Sequence, residues 1–273
     1  MDIAFLLATL AVFTYFTSAG LLLRRALRQM RGEAVPARGS ARVLAAVAAL
    51  LHAGVLYLTL GAPAGLNLGV FNVASLTGWM VTLLWLLASL KQPLENLGIL
   101  LLPLVAVAVV FKNLLFPQHA LVIEADWRLE THILGSMLAY SVLSIAAVQA
   151  LLLAVQERHL RQRRLGGVLH ALPPLQTMEI LLFRLITLGF TLLSLSLLSG
   201  ILFLEDIFAQ HLVHKTVLSL IAWVVFAVLL WGRWRFGWRG RTAIRWTLTG
   251  FATLMLAYFG SKAVLELLLR PAT

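Results

Sequence analysis

Long apolar runs alternate with short polar gaps along this chain. A helix needs about 20 apolar residues to cross a hydrocarbon core. Eight runs of that kind are present, near Ile3–Leu23, Val43–Leu60, Leu68–Leu90, Leu94–Phe111, Thr131–Gln156, Glu179–Leu204, His214–Trp231 and Trp246–Leu269. Backbone groups in lipid must bond within their own segment, so the runs predict transmembrane helices. A transmembrane barrel would show alternating segments of about ten residues, and the sequence has none. The expected fold class is all-α, a polytopic bundle of about eight transmembrane helices. The spans consume most of the chain, so residues 1–273 read as a single integral membrane domain.

The gaps carry a second pattern. Arg24, Arg25, Arg28, Arg31, Arg38 and Arg42 fill the first gap, and Lys91 marks the third. Arg158, Arg161, Arg163 and Arg164 fill the fifth, and Arg233, Arg235, Arg239, Arg241 and Arg245 the seventh. The even-numbered gaps are poor in Lys and Arg, and two are acidic, with Glu124, Asp126 and Glu130 in one and Glu205 and Asp206 in another. Lys and Arg favour the cytoplasmic side. The odd gaps are therefore expected inside, with both termini outside, in a multi-pass protein of the bacterial inner membrane. The gap from Glu157 to Met178, with Gly166–Gly167 and Pro173–Pro174, reads as a bent loop.

Composition agrees. The 273 residues are 61% hydrophobic and 12% charged, which excludes an ordinary soluble domain. The net charge of +11 borders apolar spans, where it sets orientation and meets anionic lipid. No basic face or folded module points to nucleic acid, so the lipid bilayer is the expected partner. Cysteine is absent, which excludes disulfides, thiolate metal sites and covalent haem attachment through a CxxCH motif. Met1–Asp2 runs straight into apolar sequence with no basic region, as a first transmembrane helix does and a cleaved signal does not.

Ionisable residues at membrane depth are functional candidates by default. His52 lies in the outer half of the second span, His132 opens the fifth, and His211 and His214 bracket the start of the seventh. Three-residue spacing would put the last two on neighbouring positions of one helix face. Histidines at helix ends also serve as interfacial residues. His159 and His170, in the basic loop, read that way, and His119 reads as a solvated loop residue. The similar depth of His52, His132 and His214 instead suggests an outer-side histidine site. Imidazole ligands in a helical bundle are a common way to hold haem iron. Zinc is the competing metal, but the chain lacks HxxxH and HExxH pairs. Lys262 and Glu266, four apart, read as a pair, Arg184 as a residue that reaches back to the surface, and Trp231, Trp234, Trp238 and Trp246 as an aromatic belt. No catalytic triad, nucleotide loop or carboxylate pair can be assembled, so the expectation is a protein that is not an enzyme.

Several segments resemble the cytochrome c assembly family of membrane proteins, most strongly over residues 127–268. Trp127 through His132 with Ala139–Tyr140 is similar to the segment holding that family's first outer-side haem-ligating histidine. Lys215 through Trp223 resembles the helix after its tryptophan-rich haem loop, and Gly250–Phe251 with Tyr258–Gly260 its last helix. The eight-span layout and the run Trp231–Arg241 are most similar to the small YpjD- or HemX-like branch. Two positions depart from the haem-loading members. Glu205 through His214 stands where they carry a WGxxWxWD-type loop, and Leu269 stands near their second outer-side histidine.

The resemblance implies a haem-handling factor in c-type cytochrome assembly. His132 and His214 would be axial ligands of haem iron, with His211 a substitute and His52 a deeper ligand or a relay. Other membrane proteins of cytochrome assembly would be its partners. One rival reading is a membrane scaffold that has lost haem. Another is a small-solute transporter with Lys262, Glu266 and His52 lining its path.

Overall fold

The computed structural model describes residues 3–34, 39–62, 65–67, 69–114, 122–123, 127–162, 172–203 and 210–260. Every predicted span is helical over its described residues apart from Gly69 and Leu94, which immediately precede their helices. The helices are α1 (Ile3–Met30), α2 (Gly39–Leu60), α3 (Val70–Lys91), α4 (Gly98–Leu114), α5 (Trp127–Arg161), α6 (Leu175–Phe203), α7 (Gln210–Phe236) and α8 (Gly240–Met255). A 3-10 turn at Glu95–Leu97 leads into α4, and a π-helical turn at Leu256–Gly260 extends α8. Among the described residues, seven helices are long and apolar enough to cross a membrane. The eighth predicted span corresponds to α8 with its π turn, and its remainder to Leu269 lies outside the described residues. The chain is a multi-pass membrane protein of the all-α class, its only described strands being two or three residues long.

Several helices outrun their apolar segments. The 28 residues of α1 span about 42 Å at 1.5 Å per residue, against a core of about 30 Å. Its last turns therefore carry Arg24, Arg25 and Arg28 out of the apolar layer while keeping helical hydrogen bonds. The 35-residue α5 does the same with Arg158 and Arg161.

The chain divides into two compact units. Unit 1 comprises Met1–Glu124 and Val155–Leu175, and unit 2 comprises Ala125–Ala154 and Gln176–Thr273. In unit 1, helices α1 to α4 form a ring in which each packs on its sequence neighbour and α4 returns to α1. Adjacent helices α1 and α2 bury mainly alanines, among them Ala8, Ala11, Ala19, Ala45, Ala48 and Ala49. Small side chains let membrane helices approach closely and gain dispersion contacts that lipid does not replace.

One end of unit 1 is closed by charge. Glu95 pairs with Arg25 at 3.8 Å and accepts a hydrogen bond from Arg42. The α3–α4 turn thus sits at the same end as the α1–α2 turn, as the alternation of gaps requires. Beside it, Trp85 Nε1 donates to the Leu94 carbonyl at 2.9 Å. A Cβ on Gly98 would lie 2.4 Å from the Trp85 ring, so only glycine admits that indole. At the opposite end, Gly61–Ala62, Gly65–Asn67 and Val122–Ile123 form a small antiparallel sheet in that spatial order, with Leu66 opposite both Gly61 and Ile123.

Unit 2 holds the first part of α5 with α6, α7 and α8. Gly189 of α6 lies so close to α5 that a Cβ there would sit 2.5 Å from Leu143 Cδ2. Buried Glu179 accepts a 2.8 Å hydrogen bond from the Gly240 backbone N–H, which satisfies a donor at the α8 start. Around the α7–α8 turn, Trp231 meets Phe236 edge-on at 5.2 Å, and Trp238 meets Trp246 at 5.5 Å. Trp234 is 82% exposed, and Arg233 lies 4.6 Å over the Phe183 ring. The tryptophans read from the sequence as an aromatic belt thus lie around this turn, beside Arg233.

Candidate functional site

The site is built on one stripe of α5. His132, Ser136 and Tyr140 recur every four residues, so they line one helix face. The opposing surface is α6, a leucine-rich helix interrupted by Ser194, Ser196 and Ser199. His132 Nδ1 lies 2.9 Å from Ser199 Oγ, and Ser136 Oγ lies 2.6 Å from Ser196 Oγ. Ser136 also donates to the His132 carbonyl at 2.7 Å, and Ser199 to the Ser196 carbonyl at 2.8 Å. Hydroxyls in an apolar helix can satisfy themselves on their own backbone. These ones also meet across two helices and hold the half-buried imidazole in place.

Two turns beyond His132, the stripe ends in aromatic rings. Tyr140 is ringed by Phe251 at 5.5 Å, Tyr258 at 6.2 Å and Phe259 at 5.5 Å. Tyr258 and Phe259 belong to the π turn, a helix distortion often found at functional sites. Segments about 110 residues apart in sequence, each part of the family resemblance, meet here. At the near end, Trp127 lies 6.1 Å from Phe203, with Arg128 over its ring. On the neighbouring face of α6, Trp223 stacks on Phe190 at 5.4 Å and donates to Ser194 Oγ at 2.8 Å.

His52 belongs to unit 1 and is fully buried. Both its ring nitrogens are engaged, Nδ1 with the Tyr15 hydroxyl at 3.2 Å and Nε2 with Ser75 Oγ at 2.8 Å. Iron ligation by His52 would have to break one of these bonds. Farther along unit 1, buried Lys112 donates to Thr59, beyond an apolar layer of Ala8, Val55 and Val109. His211 and His214 lie in the first turns of α7, and their side chains are outside what the structure describes. His119, His170, Lys262, Glu266, Leu269 and the 205–209 segment are also outside the described residues. Among the described residues, His159 bonds to its own helix, at the Val155 carbonyl.

Of the sequence-stated candidates, the structure thus gives His132 a built surrounding and sets His52 in a network of its own. The serines of α6 and the tyrosine of α1 were missed by reasoning on histidines alone. A detectable signal was present in the three serines spaced through an otherwise leucine-rich span.

The donor chemistry can be weighed against candidate metals. Among the described residues, no three His, Asp or Glu side chains gather as a bare metal ion requires. Haem makes a smaller demand, one or two axial protein ligands and an apolar, aromatic wall. His132 above the Tyr140 cluster fits that demand.

The profile of the cytochrome C assembly protein family matches residues 40–269. The inner membrane protein YpjD of Escherichia coli K12 is 34% identical over 272 residues, covering 96% of this chain and 98% of that one. The cytochrome c biogenesis protein CcsA of Guillardia theta is 25% identical over 222 residues, 70% of this chain and 73% of that one. Protein HemX of Brevibacillus brevis is 25% identical over 132 residues, 48% of each. No solved structure matches. With a family match across most of its length and a near full-length relative of the inner membrane, this chain belongs to the cytochrome c assembly protein family.

Proposed function

We propose that this protein is a haem-holding factor of c-type cytochrome assembly, with its site toward the outer face of the inner membrane. The observation that carries the reading is His132, held by Ser199 on the α5 stripe that leads to the Tyr140 aromatic cluster. His132 would hold the haem iron, with His214, or His211 in its place, as the second ligand. Bound haem would supply an iron centre for delivery to an apocytochrome. The chain's own residues orient the imidazole through Ser199, line the site with Tyr140, Phe251, Tyr258 and Phe259, and keep the neighbouring polar groups satisfied. His52 has both ring nitrogens bonded within unit 1 and is left out of this ligand set. Family membership supports the role in cytochrome c biogenesis, and other membrane proteins of that assembly are its partners. The arginine distribution supports placing both termini and the start of α5 outside.

The test is an absorption spectrum of the detergent-purified protein, oxidised and dithionite-reduced, beside His132→Ala and His214→Ala. The expected result is a Soret band with sharp reduced bands, lost in both variants. A flat spectrum after expression with added haem precursor would overturn it. A second reading, a scaffold without haem, is favoured by the 205–214 sequence that replaces the tryptophan-rich loop. It predicts a stable partner co-purifying equally from haem-replete and haem-depleted cells.

A further inference from the structure

The serine contacts around His132 fix where its proton sits. Two oxygens 2.8 Å apart need a proton between them, because an O–H···O bond falls at about 2.5–3.0 Å and bare lone pairs repel. Ser199 Oγ stands 2.8 Å from the Ser196 carbonyl, and a carbonyl has no proton to give. The hydroxyl proton of Ser199 is therefore committed to that carbonyl. Ser199 Oγ can then only accept from His132 Nδ1, 2.9 Å away. The neighbouring bonds agree with one assignment. Ser136 gives its proton to the His132 carbonyl, so in the 2.6 Å contact Ser196 is the donor.

We infer that Ser199 is a positioning residue that favours neutral His132 as the Nδ1–H tautomer, in which the unprotonated Nε2 is the nitrogen that would take iron. A neutral imidazole carries one ring proton, and the hydrogen bond at one nitrogen decides which nitrogen is left to bind a metal. The Ser196 backbone also hydrogen-bonds this ring, so Leu or Ala at position 199 would remove one of two partners, and the Nε2–H tautomer would gain population. The tautomer itself needs no haem. Its value for ligation rests on the haem reading above.

The test uses the full-length protein, labelled with 15N-histidine and reconstituted in lipid without haem, compared with Ser199→Ala and Ser199→Thr. His132 is identified by the signal missing in His132→Gln. Wild type and Ser199→Thr are expected to show a protonated Nδ1 and an unprotonated Nε2, and Ser199→Ala a shift toward protonated Nε2. Circular dichroism checks that each variant keeps its helices. A protonated Nε2 in wild type, or the wild-type pattern in Ser199→Ala, overturns the inference. Haemin titration separates it from the reading it rests on. Lost orientation of a ligating histidine lowers affinity about 10–100-fold, so Ser199→Ala is expected to bind that much more weakly than wild type. Equal haemin affinity in wild type and Ser199→Ala overturns the positioning role while leaving the haem site standing. No haemin binding by wild type overturns the haem reading while the tautomer assignment stands on its own spectrum.

Discussion

Replacing Glu95 with Gln tests whether the charged end of unit 1 holds its helices together. The carboxylate faces two guanidinium groups, Arg25 at 3.8 Å and Arg42 in direct hydrogen-bonding contact. The side chains are 14%, 21% and 17% exposed for Arg25, Arg42 and Glu95, so solvent screens them only partly. Breaking a fully buried pair from one side costs about 3–5 kcal/mol, and a surface pair is worth about 0–1 kcal/mol. The partial exposure places the loss between, at about 2–3 kcal/mol, because two like charges are left facing an amide. At about 2–4 °C per kcal/mol, the unfolding midpoint in detergent falls by about 4–12 °C.

Glu33 provides the control. It pairs with Arg28 at 4.0 Å and Arg31 at 3.8 Å, yet these side chains are 47–71% exposed. Glu33→Gln is expected to stay within about 0.5 kcal/mol of wild type. Adding Arg42→Gln to Glu95→Gln should recover part of the loss, since it relieves the repulsion, so the pair of changes will not add. Equal midpoints for Glu95→Gln and Glu33→Gln would refute the reasoning, as would strict additivity with Arg42→Gln.

In unit 1, Tyr15→Phe removes one bond to His52 and is expected to cost about 1 kcal/mol, whereas His52→Ala also opens a cavity and should cost more; thermal denaturation in detergent orders the two. Gly189→Leu would drive a side chain into Leu143 of α5, so a loss of about 1–3 kcal/mol or more is expected, with a matching fall in monodisperse yield on size exclusion. Glu179→Ala strips the carboxylate from the Gly240 N–H and should cost about 1 kcal/mol, with amide exchange at Gly240 rising before that of the helix interior.

Hydropathy made the helices legible because lipid leaves a chain few alternatives, and each apolar run marked one. It marked their ends poorly. α1 and α5 continue helical past the last apolar residue, since backbone bonding does not stop where lipid does. Charge counting set Lys91 on the odd side but gave no hint of Glu95, whose meaning depends on two arginines more than 50 residues away. The small sheet of 61–67 and 122–123 was equally hidden, being only two or three residues per strand. Among the histidines, sequence gave height along the membrane normal and nothing about position around a bundle. That is why His52 and His132, of similar depth, turn out to belong to separate compact units. The serine partners of His132 were written in the α6 sequence, but their role needed the opposing face of α5.

The pairing of Glu95 with arginines from another turn also bears on how the chain enters the membrane. With Lys91 and Glu95 together, the α3–α4 turn carries no net charge to direct its own insertion. Its electrostatic anchor is borrowed from Arg25 and Arg42, on a segment synthesised earlier. The expected order of biogenesis is therefore that α1 and α2 are oriented first, by their own arginines, and α3 and α4 then enter as a hairpin that docks onto charges already in place.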